Sequence, residues 1–208
     1  MKILYLHQYF ATPESNAGTR SYEMAKRFIN NGHSVEFVTS SGYLSDNYKL
    51  KKGWNVFNID GIKLNVLHLP YSNNVTFFKR NIKFFEFSLR ACLKCIQIRA
   101  DVILATSTPL TIAIPAVFYS KVRSVPLVFE VRDLWPELPI LVGAIKNKVL
   151  IKAAKWLEQF AYKNSTRLIG LSPGMCAGIS KHGVPLSKIT LATNSCDTDL
   201  FDVCSDVG

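Results

Sequence analysis

The stretch LVFEVRDLWPE, Leu127–Glu137, decides how the rest of the chain is read. Its first five residues are large or β-branched and apolar, broken only by Glu130, which is the composition of a strand buried on both faces. The strand runs directly into Arg132 and Asp133, then Leu134, Trp135 and a proline, Pro136, that cannot continue a ladder. A charged pair at such an exit has two readings. It is a strand-end salt bridge with Trp135 packed as core, or the strand delivers charged groups to a site where chemistry happens.

Which reading holds depends on the sheet, and the sheet is legible in the flanking sequence. Working outward, apolar strand-length runs at Ile3–Leu6, Val35–Thr39, Val102–Ala105, Leu168–Leu171 and Ile189–Ala192 alternate with helical patterns. The helical segments are Gly18–Asn30, about Val75 to Arg99, Ala116–Lys121, about Lys148 to Lys163, and a short one opened by Ser172-Pro173. Asp60-Gly61 between Val56–Ile59 and Ile62–Val66 predicts one tight hairpin. This order predicts an α/β protein: a doubly wound, mostly parallel sheet with helices on both faces. Ligands of such sheets bind beyond the carboxyl ends of the strands. Three segments end there with unusual chemistry: His7–Arg20, Thr106–Pro109 and Arg132–Glu137.

Composition bounds the function classes. With 208 residues, 48% hydrophobic and 19% charged, the chain is globular and can bury a sizeable core. No apolar run is long enough to span a bilayer, and His7-Gln8 interrupts the opening segment where a signal peptide needs an unbroken apolar stretch. A cytoplasmic location is therefore expected. The five cysteines have no framework spacing, and Cys92-x-x-Cys95 falls inside a helix, so reduced thiols are expected. The formal charge of +10 favours polyanionic partners: nucleic acid, anionic lipid, or diphosphate-bearing substrates.

The long first loop, HQYFATPESNAGTRSYE, places Asn16, Gly18, Thr19 and Arg20 at a helix N-terminus. Free backbone N–H groups, the helix dipole and the arginine fork all suit a phosphate or sugar there; the plainer reading is a helix cap. His7, at the first strand exit, is a candidate ligand contact. A G-x-G-x-x-G fingerprint and a Walker motif are missing, which removes most support for dinucleotide and NTPase readings. The four histidines have no metal-ligand spacing, so neither metal nor cofactor is expected. Lys79, Lys83, Arg90 and Lys94 fall on one face of the second helical segment, between two apolar flanks that include Phe77, Phe84, Phe85 and Leu89. That apolar arc is wider than a surface helix needs. The face is either solvated or an anionic-membrane contact; nucleic acid fits poorly because no recognised binding module surrounds it.

Several segments together resemble one family. MKILYLHQYFATPESNAGTRSYEMAKRF, NGHSVEFVTS, FEVRDLWPE, LEQFAYKNSTRLIGLSPGM and KITLATNSCDTDLF are similar, in order, to the N-terminal half of glycosyltransferase family 4. The resemblance is nearest to its bacterial surface-polysaccharide branch, fucosamine transferases included. It implies a Rossmann-like domain over residues 1–193, the acceptor-binding half of a GT-B fold. Residues 194–208 would then lead towards a C-terminal donor domain not contained in this sequence. It further implies a retaining hexosyltransferase, inactive as this chain alone. The implied partners are a nucleotide-sugar donor and a glycan or lipid-linked acceptor, met at the inner face of the membrane. By the same resemblance Asp133 and Arg132 are catalytic, Asp133 orienting sugar hydroxyls and Arg132 either stabilising developing charge or pairing with Asp133 or Glu137. Asn16, Gly18, Thr19, Arg20 and His7, read from the first loop, join Glu137 as candidates near substrate or diphosphate. Family members often carry His-Asp at the strand exit; here Arg132 replaces the histidine and cannot act as a base. A rival reading is a non-catalytic subunit that anchors a separate donor-domain chain at the membrane.

Overall fold

The computed structural model describes residues 1–15, 17–44, 48–69, 77–137, 140, 143 and 145–195, the side chains of 77–80 excepted. Eight strands form one sheet: β1 (Lys2–Leu6), β2 (Ser34–Ser40), β3 (Trp54–Ile59), β4 (Ile62–Leu67), β5 (Val102–Thr106), β6 (Leu127–Val131), β7 (Arg167–Gly170) and β8 (Ile189–Leu191). The helices among the described residues are α1 (Arg20–Asn30), α2 (Phe77–Ile96), α3 (Ala113–Arg123), α4 (Lys148–Asn164) and α5 (Pro173–Lys181). Strand order is β3-β4-β2-β1-β5-β6-β7-β8. Every neighbouring pair is parallel except the β3–β4 hairpin. That hairpin turns at Asp60 and Gly61, both at positive φ (50° and 81°), the mirror-image turn that matches strand twist.

Local chemistry fixes the element ends. Ser172 Oγ accepts from the Met175 N–H at 3.1 Å with Pro173 in the first turn, so α5 starts where its missing N–H costs nothing. Asn147 Oδ1 accepts from Val149 N at 2.8 Å and starts α4 in the same way. The sheet buries side chains on both faces. Leu4, Leu6, Ile103, Ala105, Leu127, Phe129 and Leu168 join α2, α3, α4 and α5 in one core, whereas Ile3, Tyr5, Phe37, Leu64 and Leu104 pack with α1 in the other. Each large side chain removed fully from water contributes about 1.5–3 kcal/mol, so the two cores dominate stability.

The direction of the strand order reverses between β1 and β5: successive parallel strands run outward from β1 on one side and from β5 on the other. The loops leaving these two strands therefore diverge and open a crevice above the carboxyl ends, the usual ligand position in such sheets. His7 leaves β1 there, Ser107 leaves β5 and Arg132 leaves β6.

Candidate functional site

The crevice is built from three strand exits that are tied to one another. Ser107 N–H donates to the Glu130 carbonyl at 2.9 Å, and Ser107 Oγ accepts from Arg132 N–H at 2.9 Å. Thr108 stands at φ 89°, a region a β-branched residue rarely adopts, and its hydroxyl donates to Asp133 Oδ2 at 2.7 Å. Asp133 is thus held through one oxygen at the crevice. A hollow of about 550 Å³ lies above, lined by His7, Tyr9, Gly18, Tyr43, Arg132 and Asp133 among others. The rings of Tyr9 and Tyr43 meet edge to face with centroids 5.0 Å apart and form its apolar wall. A second hollow, about 440 Å³, adjoins it along the N-terminus of α1, bounded by Gly18, Thr19, Glu23, Arg27 and Arg132.

Arg132 stands between the two hollows and lines both. A Cβ placed on Gly18 would lie 3.9 Å from Arg132 Nη2, so the bare glycine backbone and the guanidinium face the same space. Thr19 occupies the N-cap of α1 with no capping hydrogen bond from its hydroxyl. Backbone N–H groups, a helix N-terminus and a guanidinium therefore converge, the arrangement that suits an anionic oxygen. Beside them a carboxylate and two tyrosines suit a sugar's hydroxyls and ring face.

His7 lies buried in the crevice floor with Nδ1 2.9 Å from Ser21 Oγ. Burial first, and then the Arg132 charge, push its pKa down to about 3 from 6.5. The ring is neutral at physiological pH and serves as a hydrogen-bonding partner rather than a cation. Because the folded state resists the proton that the unfolded chain accepts, stability is complete above about pH 6.5 and falls as pH drops towards 3. From pH 7 to pH 5 this one group should remove about 2 kcal/mol. A His7→Asn variant should lose less stability than the parent over that range in parallel thermal melts. Equal losses would show that His7 accepts a proton in the folded protein.

Two expected ligand contacts also have partners within the protein. Arg20 turns inward: Nε and Nη2 each lie 2.9 Å from Glu130 Oε1, Nη1 donates to the Thr193 carbonyl and Nη2 to the Ala192 carbonyl, both at 2.8 Å. The guanidinium thus fastens the chain leaving β8 to the start of α1, and it also lines the second hollow. Glu137 has Oε1 3.9 Å from Nε2 of His182, at the end of α5, and is not among the described residues that line the two hollows. Burial raises the carboxyl of nearby Glu158, whose Oε1 accepts from the Tyr162 hydroxyl at 3.1 Å. Leu134 in the same segment packs on α5 at Gly178, where a Cβ would meet Leu134 Cδ1 at 2.9 Å. Arg132 and Asp133 therefore face the crevice, while Leu134–Glu137 clamp the segment to the helix layer. Asn16 lies outside the described residues.

Thr108, Tyr9, Tyr43 and Asn194 complete the crevice but do not stand out in the sequence. Thr106–Pro109 is marked there as a crevice segment, yet nothing in the sequence distinguishes Thr108 from Ser107. The pairing of Tyr9 with Tyr43 joins two different loops. On α2, Arg90 pairs with Glu86 at 3.0 Å and the Lys94 ammonium lies over Trp54 at 5.7 Å, while the Lys79 side chain lies outside the described set. The wide apolar arc divides into a core side (Phe87, Ala91, Cys95) and an exposed side (Ile82, Phe85, Leu89, Leu93). Burial raises the thiols of Cys92 and Cys95 above their usual range, which disfavours the reactive thiolate.

The sheet order and the crevice define the N-terminal domain of a GT-B fold. Residues 17–195 match the model of the glycosyl transferase 4-like domain, and the chain belongs to that family. Among solved structures, it is similar to the catalytic domain of starch synthase IV from Arabidopsis thaliana bound to ADP and acarbose (TM-score 0.66, 12% identity, 99% of this chain and 54% of that one). It is also similar to Anabaena HepE in complex with UDP and glucose (TM-score 0.54, 14% identity, 97% and 46%). A third similar structure is the UDP-GlcNAc 2-epimerase of Methanocaldococcus jannaschii (TM-score 0.51, 8% identity, 92% and 45%). The chain spans about half the length of these proteins. A search of the curated proteins gave no match.

Proposed function

We propose that the chain is the acceptor-binding half of a retaining hexosyltransferase. In this reading it moves a sugar from a nucleotide-sugar donor onto a lipid-linked glycan in bacterial surface-polysaccharide synthesis, such as O-antigen assembly on lipopolysaccharide. The observation that carries the reading is the juxtaposition of Arg132, Gly18 and the α1 N-terminus with Asp133 at the sheet's switch point. Family membership supports transfer, and the presence of an epimerase among proteins of this fold shows that the fold alone does not select the reaction.

The chemistry follows from what the side chains can do. As the bond from the sugar's anomeric carbon to the diphosphate oxygen lengthens, negative charge gathers on that oxygen. Arg132 and the N–H groups at Gly18 and Thr19 oppose it, and such preorganised charge is the largest single source of catalysis in most enzymes. The acceptor hydroxyl oxygen forms the new bond on the same face, and its proton passes to the departing diphosphate. No base is needed, which reconciles arginine with the position often held by histidine. Asp133 accepts from the sugar's hydroxyls and fixes its orientation. The nucleotide would be gripped by a second Rossmann-like domain, so this chain on its own should bind donor weakly. The setting would be the cytoplasmic face of the membrane, where a lipid carrier presents its glycan.

An NMR titration of the chain with UDP-sugars and with pyrophosphate tests this reading. Amide shifts should centre on Gly18, Thr19, Arg132 and Asp133, with a Kd above about 100 μM. Micromolar affinity would mean that the nucleotide site lies within this chain, and shifts confined to another surface would displace the site from the crevice.

A further inference from the structure

The helix layer opposite α1 has a surface that the crevice does not account for. Helices α2, α3 and α4 pack side by side on one face of the sheet, each contributing to the same core. Together they hold eleven lysines and arginines against two glutamates. The rest of the chain is then nearly balanced, with fourteen against thirteen, so nearly all the net charge of +10 belongs to this layer. One of the two glutamates, Glu158, is buried and does not face outward.

The same layer concentrates exposed apolar side chains. On α2, Leu89 and Leu93 are 65% and 68% exposed, in line with Ile82 and Phe85 at helical spacing. Phe118 and Val122 are exposed on α3, which packs directly against α2. On α4, Val149 and Trp156 are 74% and 64% exposed, with the Trp156 ring stacked on Phe160 at 5.3 Å. Scattered single apolar residues are ordinary on a surface, but several large exposed ones on each of three helices packed side by side mark a contact area. No described helix is long and apolar enough to cross a membrane.

We infer that the outer face of α2, α3 and α4 rests in the headgroup region of an anionic lipid bilayer, with Leu89, Leu93 and Trp156 inserted among the acyl chains. Apolar side chains framed by lysines, on helices lying parallel to a surface, are what an interfacial contact requires. A second copy of this chain is a poor occupant, because pairing two such faces opposes like charges. A nucleic acid would match the charge and leave the apolar strip bare. The inference deepens the functional reading, since a lipid-linked acceptor needs the crevice beside the membrane. α2 crosses from β4 to β5, so its first turns lie at the crevice end, where Phe84 meets Tyr9 with ring centroids 6.2 Å apart. The basic stripe of the sequence thus extends over three helices, and the inserting residues are on the exposed side of α2 instead of at Phe84.

Sedimentation of the chain with vesicles of phosphatidylcholine, with and without phosphatidylglycerol, tests the inference without donor or acceptor. A failure here leaves the crevice reading standing, and a failed crevice variant leaves this surface standing. Binding should require the anionic lipid and weaken about fivefold for each lysine removed in a Lys152→Gln, Lys155→Gln pair. A remainder should persist at about 1 M salt, where electrostatic screening acts within about 3 Å. The exposed substitutions Leu89→Ser and Leu93→Ser together should remove that remainder, as should Val149→Ser with Trp156→Ser on the other helix. Equal binding to neutral vesicles, or complete loss at high salt with the serine variants unaffected, would overturn the inference. So would displacement from vesicles by duplex DNA at equal charge, or self-association that the serine variants abolish.

Discussion

Arg20→Ala should cost about 3–5 kcal/mol of folding stability, the scale of breaking a buried ion pair from one side. The size follows from what is left behind. Glu130 is fully buried in the centre of β6, and its Oε2 accepts from the Thr106 hydroxyl at 2.9 Å. Thr106 in turn lies 3.2 Å from the Tyr5 hydroxyl, whose own proton is held more tightly through burial and the Glu130 charge. Without Arg20, the carboxylate keeps one hydrogen bond and no counter-charge in the core. Glu130→Gln with Arg20→Met should recover much of the loss, because an uncharged pair carries no desolvation penalty of that size. Chemical denaturation reads the result. A loss under about 1 kcal/mol would be typical of an exposed pair and would contradict a buried, unscreened Arg20–Glu130 contact. The variant should also loosen Ala192 and Thr193, whose carbonyls Arg20 holds, and so shift the point where the chain leaves the sheet.

Asp133→Ala should leave the fold nearly unchanged and lower kcat/KM by about 100-fold or more, the scale of losing a group that aligns a reactant. The stability cost is small because the residue stands at a strand exit and loses one hydrogen bond, from Thr108, worth about 1 kcal/mol. Asp133→Asn keeps an acceptor for Thr108 and loses the charge, so it separates orientation from electrostatics. Thr108→Val should show a smaller version of the same defect by leaving Asp133 unheld. The assay uses the chain joined to or mixed with a donor domain of the same family, with melting temperatures measured alongside. Full turnover in Asp133→Ala would return the residue to a strand-end role.

The strands were readable because their physics is local. Leu127–Val131 is predicted as a strand and is β6 to the residue, since a β-branched run buried on both faces allows nothing else. Asp60-Gly61 fixed the hairpin through backbone conformation alone, and Ser172-Pro173 located α5 through its cap. Arg132 and Asp133 were accessible from topology, because a charged exit of a parallel strand faces the crevice. Arg20 was legible in position, but its partner inside the sheet was not. Its partner, Glu130, is 110 positions away, and only the folded sheet brings the two together. Glu130 itself was the clue: a lone acid inside a buried apolar run demands a cation, although the sequence does not say which one. Glu137 and the tyrosine wall depend on loop-to-loop and loop-to-helix packing that periodicity does not encode. For α2, a count of apolar positions revealed an excess; which side the core would take was decided by packing against α3 and β2.

The most direct test is sugar transfer itself. The chain, alone and then joined to or mixed with a donor domain of the same family, is given a labelled nucleotide sugar and a lipid-linked glycan acceptor. The expected result is product from the combination only, with product lost again when Asp133 is replaced. Transfer by this chain alone at a comparable rate, or none from a combination that binds both substrates, would contradict the division of the active site proposed for the crevice.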